Sequence, residues 1–200
     1  MTTLGFAILA YLLGSIPFAM VTSKLFGLAD PRSYGSGNPG ATNVLRSGNK
    51  LAALLTLLGD VLKGWLAVFL VQQFGPAYGA QAQDAAIAGF AAFFGHLHPI
   101  FLHFRGGKGV ATACGVFTVL APLSLPPAML AFFVATWATR YISVGSVMAS
   151  LVLPPVAYVT GSTGAVVASA CACATLIVFR HRSNLMRVRV GTERRVGARA

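Results

Sequence analysis

Seven apolar runs dominate the chain, at about 4–22, 51–72, 84–103, 109–125, 126–141, 143–159 and 163–180. A helix needs roughly 17–25 apolar residues to cross a bilayer, and several of these runs are that long. The charge supply agrees. Charged residues make up 10% of the 200, against about 25% in an ordinary soluble domain, and mean hydropathy is +0.74. So few charges cannot cover a globule of this size, which excludes a soluble enzyme and an intrinsically disordered chain together. The expected fold is all-α: a polytopic integral membrane protein of about seven transmembrane helices, organised as a single domain over 1–200.

The fourth to sixth runs are short and broken by Pro122, Pro126, Pro127, Pro154 and Pro155. Proline is tolerated at a helix start but kinks an interior, so five or six crossings also fit the pattern. No Lys or Arg precedes the first run, which therefore reads as a span and not as a cleavable signal peptide. By the positive-inside rule the N-terminus lies outside and residues 23–50 lie in the cytoplasm. Lys24, Arg32, Arg46, Lys50, Arg105, Lys108 and Arg140 all fall on that same side. So do Arg180, Arg182, Arg187, Arg189, Arg194, Arg195 and Arg199, which puts the C-terminus in the cytoplasm. The loops near 73–83, 122–127 and 160–162 carry no Lys or Arg.

The net charge of +11 thus follows membrane topology. It does not form the basic face that a nucleic-acid partner would need. The tail arginines suit contact with anionic lipid headgroups, at about 1 kcal/mol per charge near the surface. Lys63 alone among the positives lies inside a span, three residues after Asp60. That spacing puts both on one helix face, and ionisable groups inside a membrane usually face the bundle interior. A structural ion pair and a lysine that attracts an anion both fit. Cys114, Cys171 and Cys173 sit within apolar runs without a C-x-x-C pair and read as small buried hydrophobes.

Polar chemistry concentrates in three stretches, each following an odd-numbered run. The first contains Tyr34-Gly-Ser-Gly-Asn-Pro-Gly-Ala-Thr-Asn43 and ends at Arg46. Its glycines match G-x-G-x-x-G only formally, since no strand precedes them and no βαβ unit follows. They do let the backbone turn sharply so that N–H groups converge on an anion, beside Ser36, Asn38, Asn43 and Arg46. The second is Arg105-Gly-Gly-Lys-Gly-Val-Ala-Thr112. It is not a Walker A loop, but Gly106, Gly107 and Gly109 permit close backbone approach, Lys108 adds charge, and a helix start offers N–H donors. Phosphate binding is the expectation.

The third stretch holds His181 and Asn184, three apart and so on one face of a continuing helix, then Gly191-Thr-Glu193. His181 reads either as a helix-end group interacting with the dipole or as a catalytic hydrogen-bonding group. Glu193, the only glutamate, reads as an ion-pair partner that holds the tail. His96, His98 and His103 have no acidic neighbour in the sequence, so no metal site is implied; His96 reads as a helix-packing or site-supporting donor. One cytoplasmic-side pocket rich in cations and glycine N–H groups suits a phosphorylated ligand with an apolar partner arriving from the bilayer.

Taken in order, these residues resemble the bacterial acyl-phosphate-dependent glycerol-3-phosphate acyltransferases, the PlsY family. The likeness rests on Ser36-Gly-Asn-Pro-Gly-Ala-Thr-Asn43 with Arg46, on Gly106-Gly-Lys-Gly-Val-Ala-Thr112, and on His181 to Asn184 followed by Gly191-Thr-Glu193. Gly14-Ser-Ile-Pro17 and Gly95-His96 add to it, and it spans essentially the whole chain. The resemblance implies an enzyme of phospholipid synthesis in the bacterial inner membrane. Its substrates would be acyl phosphate and glycerol 3-phosphate, with membrane lipids around it, no cofactor, no nucleic acid and no obligate protein partner. The products would be 1-acyl-glycerol 3-phosphate, a lysophosphatidic acid, and inorganic phosphate.

Ser36, Arg46, His181 and Asn184 are then the expected catalytic residues. Asn38, Asn43, Gly106, Gly107, Lys108 and Gly109 are the expected substrate-binding ones. The H-x4-D pair of other acyltransferases is absent: the residues five after the histidines are Phe101, His103, Lys108 and Met186. A transporter of phosphorylated metabolites is the rival class, because intramembrane charge and proline-broken helices are shared with transporters. A non-catalytic scaffold leaves the glycine-lysine loop unexplained.

Overall fold

The computed structural model describes residues 3–197, in which every regular element is helical. Arg199 of the basic tail lies outside the described residues. The described chain forms two compact units, residues 3–119 and 120–197.

In the first unit α1 (Thr3–Gly14) stops at Ser15–Pro17 and the chain resumes as α2 (Phe18–Leu25). Pro17 has no N–H to continue the ladder and sits as the residue that begins α2. After the short α3 (Ala41–Val44), α4 runs from Lys50 to Phe74. Asn49 starts it by accepting a hydrogen bond from the Ala52 N–H at 2.9 Å. Next, α5 (Ala82–Leu97) opens with a capping box, in which the Asp84 side chain accepts from the Gln81 N–H at 2.8 Å. The unit ends with α6 (Val110–Leu120).

Small residues set the spacing of these helices. A Cβ on Gly14 would collide with the backbone of Ala92 on α5, and one on Gly115 of α6 with the Val61 carbonyl on α4. In lipid, where apolar surface gains nothing by leaving water, close backbone approach is the main source of helix attraction. A Thr22–Thr56 hydroxyl pair at 2.6 Å ties α2 to α4 in the same way.

The second unit holds α7 (Leu125–Thr139), α8 (Ile142–Val159), α9 (Gly164–Arg180) and α10 (Arg182–Arg189). Pro126 and Pro127 occupy the first turn of α7, where a missing N–H costs nothing, while Pro154 and Pro155 lie inside α8. Arg140 ends α7 in the left-handed region at φ 63°. The axes of α9 and α10 differ by 48°.

Among the described residues, four helical stretches are long and apolar enough to cross a membrane: Thr3–Leu25, Lys50–Tyr78, Ala82–Leu102 and Ile142–Val159. The bent pair α9–α10 makes a fifth if it is one span. The expected fourth and fifth spans are helical but short, at 11 residues in α6 and 15 in α7. At 1.5 Å per residue they reach about 16 and 22 Å, against a hydrocarbon core of about 30 Å. The glycine loop before α6 and the proline turn before α7 shorten them. Leu4, Phe133 and Trp137 are largely exposed while Thr56, Asp60, Lys63 and His96 are buried, the reverse of a soluble protein. Of the cysteines only Cys173 is buried; Cys171 is exposed and Cys114 half-buried.

Candidate active site

The first loop is organised by one buried side chain. Asn43 Nδ2 donates to the carbonyls of Pro31 (2.6 Å) and Tyr34 (3.2 Å), and its Oδ1 accepts from the Ser36 N–H (3.0 Å) and Arg46 Nη1 (3.3 Å). The amide has two hydrogens and two acceptor sites, so all of its capacity is committed. Expected as a ligand contact, Asn43 instead shapes the loop and aims Ser36 and Arg46. Gly35 and Gly37 take φ values of +60° and +66°, the left-handed region that glycine enters without penalty. A Cβ on Gly35 would also strike Asn43 Oδ1. The result is an exposed Ser36 next to a half-buried Arg46, with Asn38 half-buried on the same turn.

The second loop folds back on the end of α5. The Gly106 N–H donates to the Leu97 carbonyl and the Gly107 N–H to the His96 carbonyl, each at 3.1 Å. Two N–H groups expected to cradle a phosphate are therefore bonded within the protein. The glycines serve close packing: a Cβ on Gly106 would meet the His96 carbonyl, one on Gly107 the His96 ring and one on Gly109 the Phe93 ring. Lys108 between them is half-buried. Helix α6 starts at Val110, and the N–H groups of a first helical turn have no partner in the helix itself.

Beneath this loop lies a polar group that the sequence only half disclosed. The Asp60–Lys63 pair forms as expected, Oδ1 to Nζ at 2.9 Å. His96 Nδ1 also lies 3.3 Å from Asp60 Oδ1, which gives this histidine the acidic partner that its sequence neighbourhood lacks. Lys63 Nζ donates to the Ile16 carbonyl at 2.9 Å, an oxygen exposed by the α1–α2 break. A small cleft is lined by Ser15, Pro39, Asp60, Lys63, His96, Gly106 and Gly107. Pro39 of the first loop and the glycines of the second therefore border the same space.

In the second unit His181 links α9 to α10 and is buried. Its Nδ1 lies 2.8 Å from the Ile177 carbonyl, which can only accept, so Nδ1 carries the hydrogen. This is the helix-end geometry, a terminal residue whose ring is held by its own helix. Asn184 follows on the first turn of α10, and its Nδ2 donates to Glu193 Oε1 at 2.6 Å. Glu193 also accepts from Arg187 Nε at 2.7 Å and Ser143 Oγ at 3.3 Å, so it does hold the tail. Ser143 carried no sequence signal, being a serine in an apolar run.

Fold and site together define a class, a multi-pass helical membrane protein with serine, arginine and lysine on glycine-shaped loops. Residues 4–191 match the family profile described as glycerol-3-phosphate acyltransferase. The chain is 52% identical over 199 residues to the glycerol-3-phosphate acyltransferase of Laribacter hongkongensis, covering 100% of this chain and 98% of that protein. It is 45% identical to that of Cupriavidus necator, covering 98% of each. Among solved structures it is similar to PlsY (YgiH), an integral membrane glycerol 3-phosphate acyltransferase, in its glycerol 3-phosphate form. The TM-score is 0.89 at 38% identity, over 98% of this chain and 96% of that one. The lysophosphatidic acid form of PlsY matches with TM-score 0.87 at 37% identity, over 98% and 95%. The chain belongs to the glycerol-3-phosphate acyltransferase family.

Proposed function

We propose that this protein transfers an acyl group from acyl phosphate to the 1-hydroxyl of glycerol 3-phosphate. The hydroxyl oxygen attacks the acyl carbon, an ester bond forms, and the bond from that carbon to the phosphate oxygen breaks. The products are 1-acyl-glycerol 3-phosphate and inorganic phosphate, with the hydroxyl proton ending on phosphate. The observation that carries this reading is that the two loops border one cleft, through Pro39 on the loop that bears Ser36 and Arg46 and through Gly106 and Gly107 beside Lys108.

The chemistry requires little more than such a site. An acyl phosphate is already an activated mixed anhydride, so catalysis rests on positioning and on offsetting the repulsion between two phosphates. Lys108 and the start of α6 hold glycerol 3-phosphate. Ser36 and Arg46 orient the donor phosphate and polarise the acyl carbon. His181 and Asn184 orient the attacking hydroxyl. The protein acts as one catalytic domain, with its chemistry at the cytoplasmic face of the bacterial inner membrane.

In this reading about seven helices enter the membrane, with the N-terminus outside. The charge pattern supports that sidedness independently of the count, because a re-entrant α6–α7 pair would begin and end on the same face as two full crossings.

Phosphate release by purified protein given palmitoyl phosphate and glycerol 3-phosphate tests the reaction. Release that requires both substrates is expected. A well-folded protein that releases none would overturn the reading, and uptake of unaltered substrate into vesicles would favour a transporter.

A further inference from the structure

We propose that Asp60 is a positioning residue for the Gly106–Gly109 loop, acting through His96. The inference deepens the reading of that loop as the glycerol 3-phosphate site, and rests on it for its kinetic arm.

A carboxylate and an ammonium buried in a membrane helix are costly even when paired, and a helix needs neither to pack. Asp60 and Lys63 are only 3% and 2% exposed, yet their pair is not closed on itself. Asp60 Oδ1 takes a second contact from His96 Nδ1 at 3.3 Å, and this fixes the plane of the imidazole. The other edge of that ring bears on the loop, since a Cβ on Gly107 would collide with His96 Nε2. The backbone carbonyls of His96 and Leu97 take the N–H groups of Gly107 and Gly106 at 3.1 Å. Lys63 closes the arrangement by donating to the Ile16 carbonyl at 2.9 Å.

Four parts of the fold are therefore linked through one carboxylate: α4 and the end of α5 directly, the α1–α2 break through Lys63 and the loop through His96. Rotating His96 by even a small angle moves Gly107, and Lys108 is the next residue. Asp60 touches no substrate in this scheme. It sets where Lys108 is presented, and misplacing a binding group by about 1 Å costs up to about a hundredfold in turnover efficiency.

The test uses the full-length protein in detergent with Asp60→Asn, Gly107→Ala and the double variant. Asp60→Asn is expected to raise KM for glycerol 3-phosphate by at least about tenfold while kcat changes less than about threefold. Because both changes act on one loop, the double variant should show less than the product of the single effects. Hydrogen–deuterium exchange gives a readout independent of catalysis: the Gly106 and Gly107 amides should exchange about tenfold faster in Asp60→Asn, with the middle of α4 unchanged. Should Asp60→Asn fail to fold, His96→Asn keeps the Asp60–Lys63 pair and must give the same signature. Unaltered loop exchange overturns the proposal, as does a loss of kcat or of folded protein at constant KM, which marks a purely structural pair. A wild type without turnover sinks the acyltransferase reading alone, and the exchange experiment still decides the role of Asp60.

Discussion

Asn184 Nδ2 lies 2.6 Å from Glu193 Oε1, and because a carboxylate oxygen only accepts, this contact dictates which way the amide points. The amide nitrogen faces the carboxylate and Oδ1 is turned away from it. The Arg187 Nε contact at 2.7 Å keeps Glu193 itself in place. Glu193→Ala should then lower stability by about 1–3 kcal/mol, the cost of leaving buried partners unsatisfied. Thermal unfolding in detergent measures it, and Glu193→Gln, which keeps an acceptor, should recover part of the loss. An unchanged melting temperature in the alanine variant contradicts the arrangement.

Lys108→Ala should reduce substrate-dependent phosphate release by about a hundredfold, the usual effect of removing one charge-stabilising donor. Lys108→Arg should recover only part of it, because a planar guanidinium does not fit where a compact ammonium sat. Steady-state assays over a range of glycerol 3-phosphate concentrations decide the matter.

The glycine contacts between helices make a second stability series. Gly14→Ala and Gly115→Ala place a methyl against the backbone of a neighbouring helix and should each cost about 1–3 kcal/mol through overpacking. Gly164→Ala has open space around it and should change stability by less than about 0.5 kcal/mol. Melting temperatures of the three variants, taken side by side, test whether close approach or mere flexibility explains these glycines.

Asp30 carries a pH-dependent contribution of known sign. The Arg32 side chain, hydrogen-bonded to it, holds its carboxyl below the ordinary value of 3.8. A lowered folded-state pKa means the stabilisation is present above the unfolded value and is lost as pH falls through the folded one. With side chains 43% and 37% exposed, the pair is worth less than about 1 kcal/mol. Asp30→Asn should therefore lower the melting temperature slightly at neutral pH, and the difference from wild type should shrink as pH falls below the unfolded value and vanish once it has passed the lowered folded one.

Sidedness is testable with single cysteines in a chain freed of Cys114, Cys171 and Cys173. In intact spheroplasts a membrane-impermeant maleimide should label the Gln83→Cys variant, and should label Thr192→Cys only after the membrane is opened. Leu123→Cys separates full crossing of α6 and α7 from a re-entrant pair, since only the former exposes position 123 to the outside. The reverse labelling pattern would invert the topology.

Much of this protein follows from its sequence. Apolar runs of span length and the one-sided placement of Lys and Arg determine a helical membrane protein, because lipid tolerates little charge. Three polar motifs in fixed order identify the family. The Asp60–Lys63 pair and the anchoring of Glu193 follow from helix spacing and from the scarcity of acidic partners. What spacing could not supply is which groups are already taken. Asn43, Gly106 and Gly107 looked like ligand donors, yet their hydrogen bonds close within the fold on Pro31, Tyr34, Leu97 and His96. His96 looked isolated until α4 and α5 packed and brought Asp60 to it, 36 residues away in the chain. A residue type states what it can bond; only tertiary packing, which sets distances between segments remote in sequence, decides what it does bond.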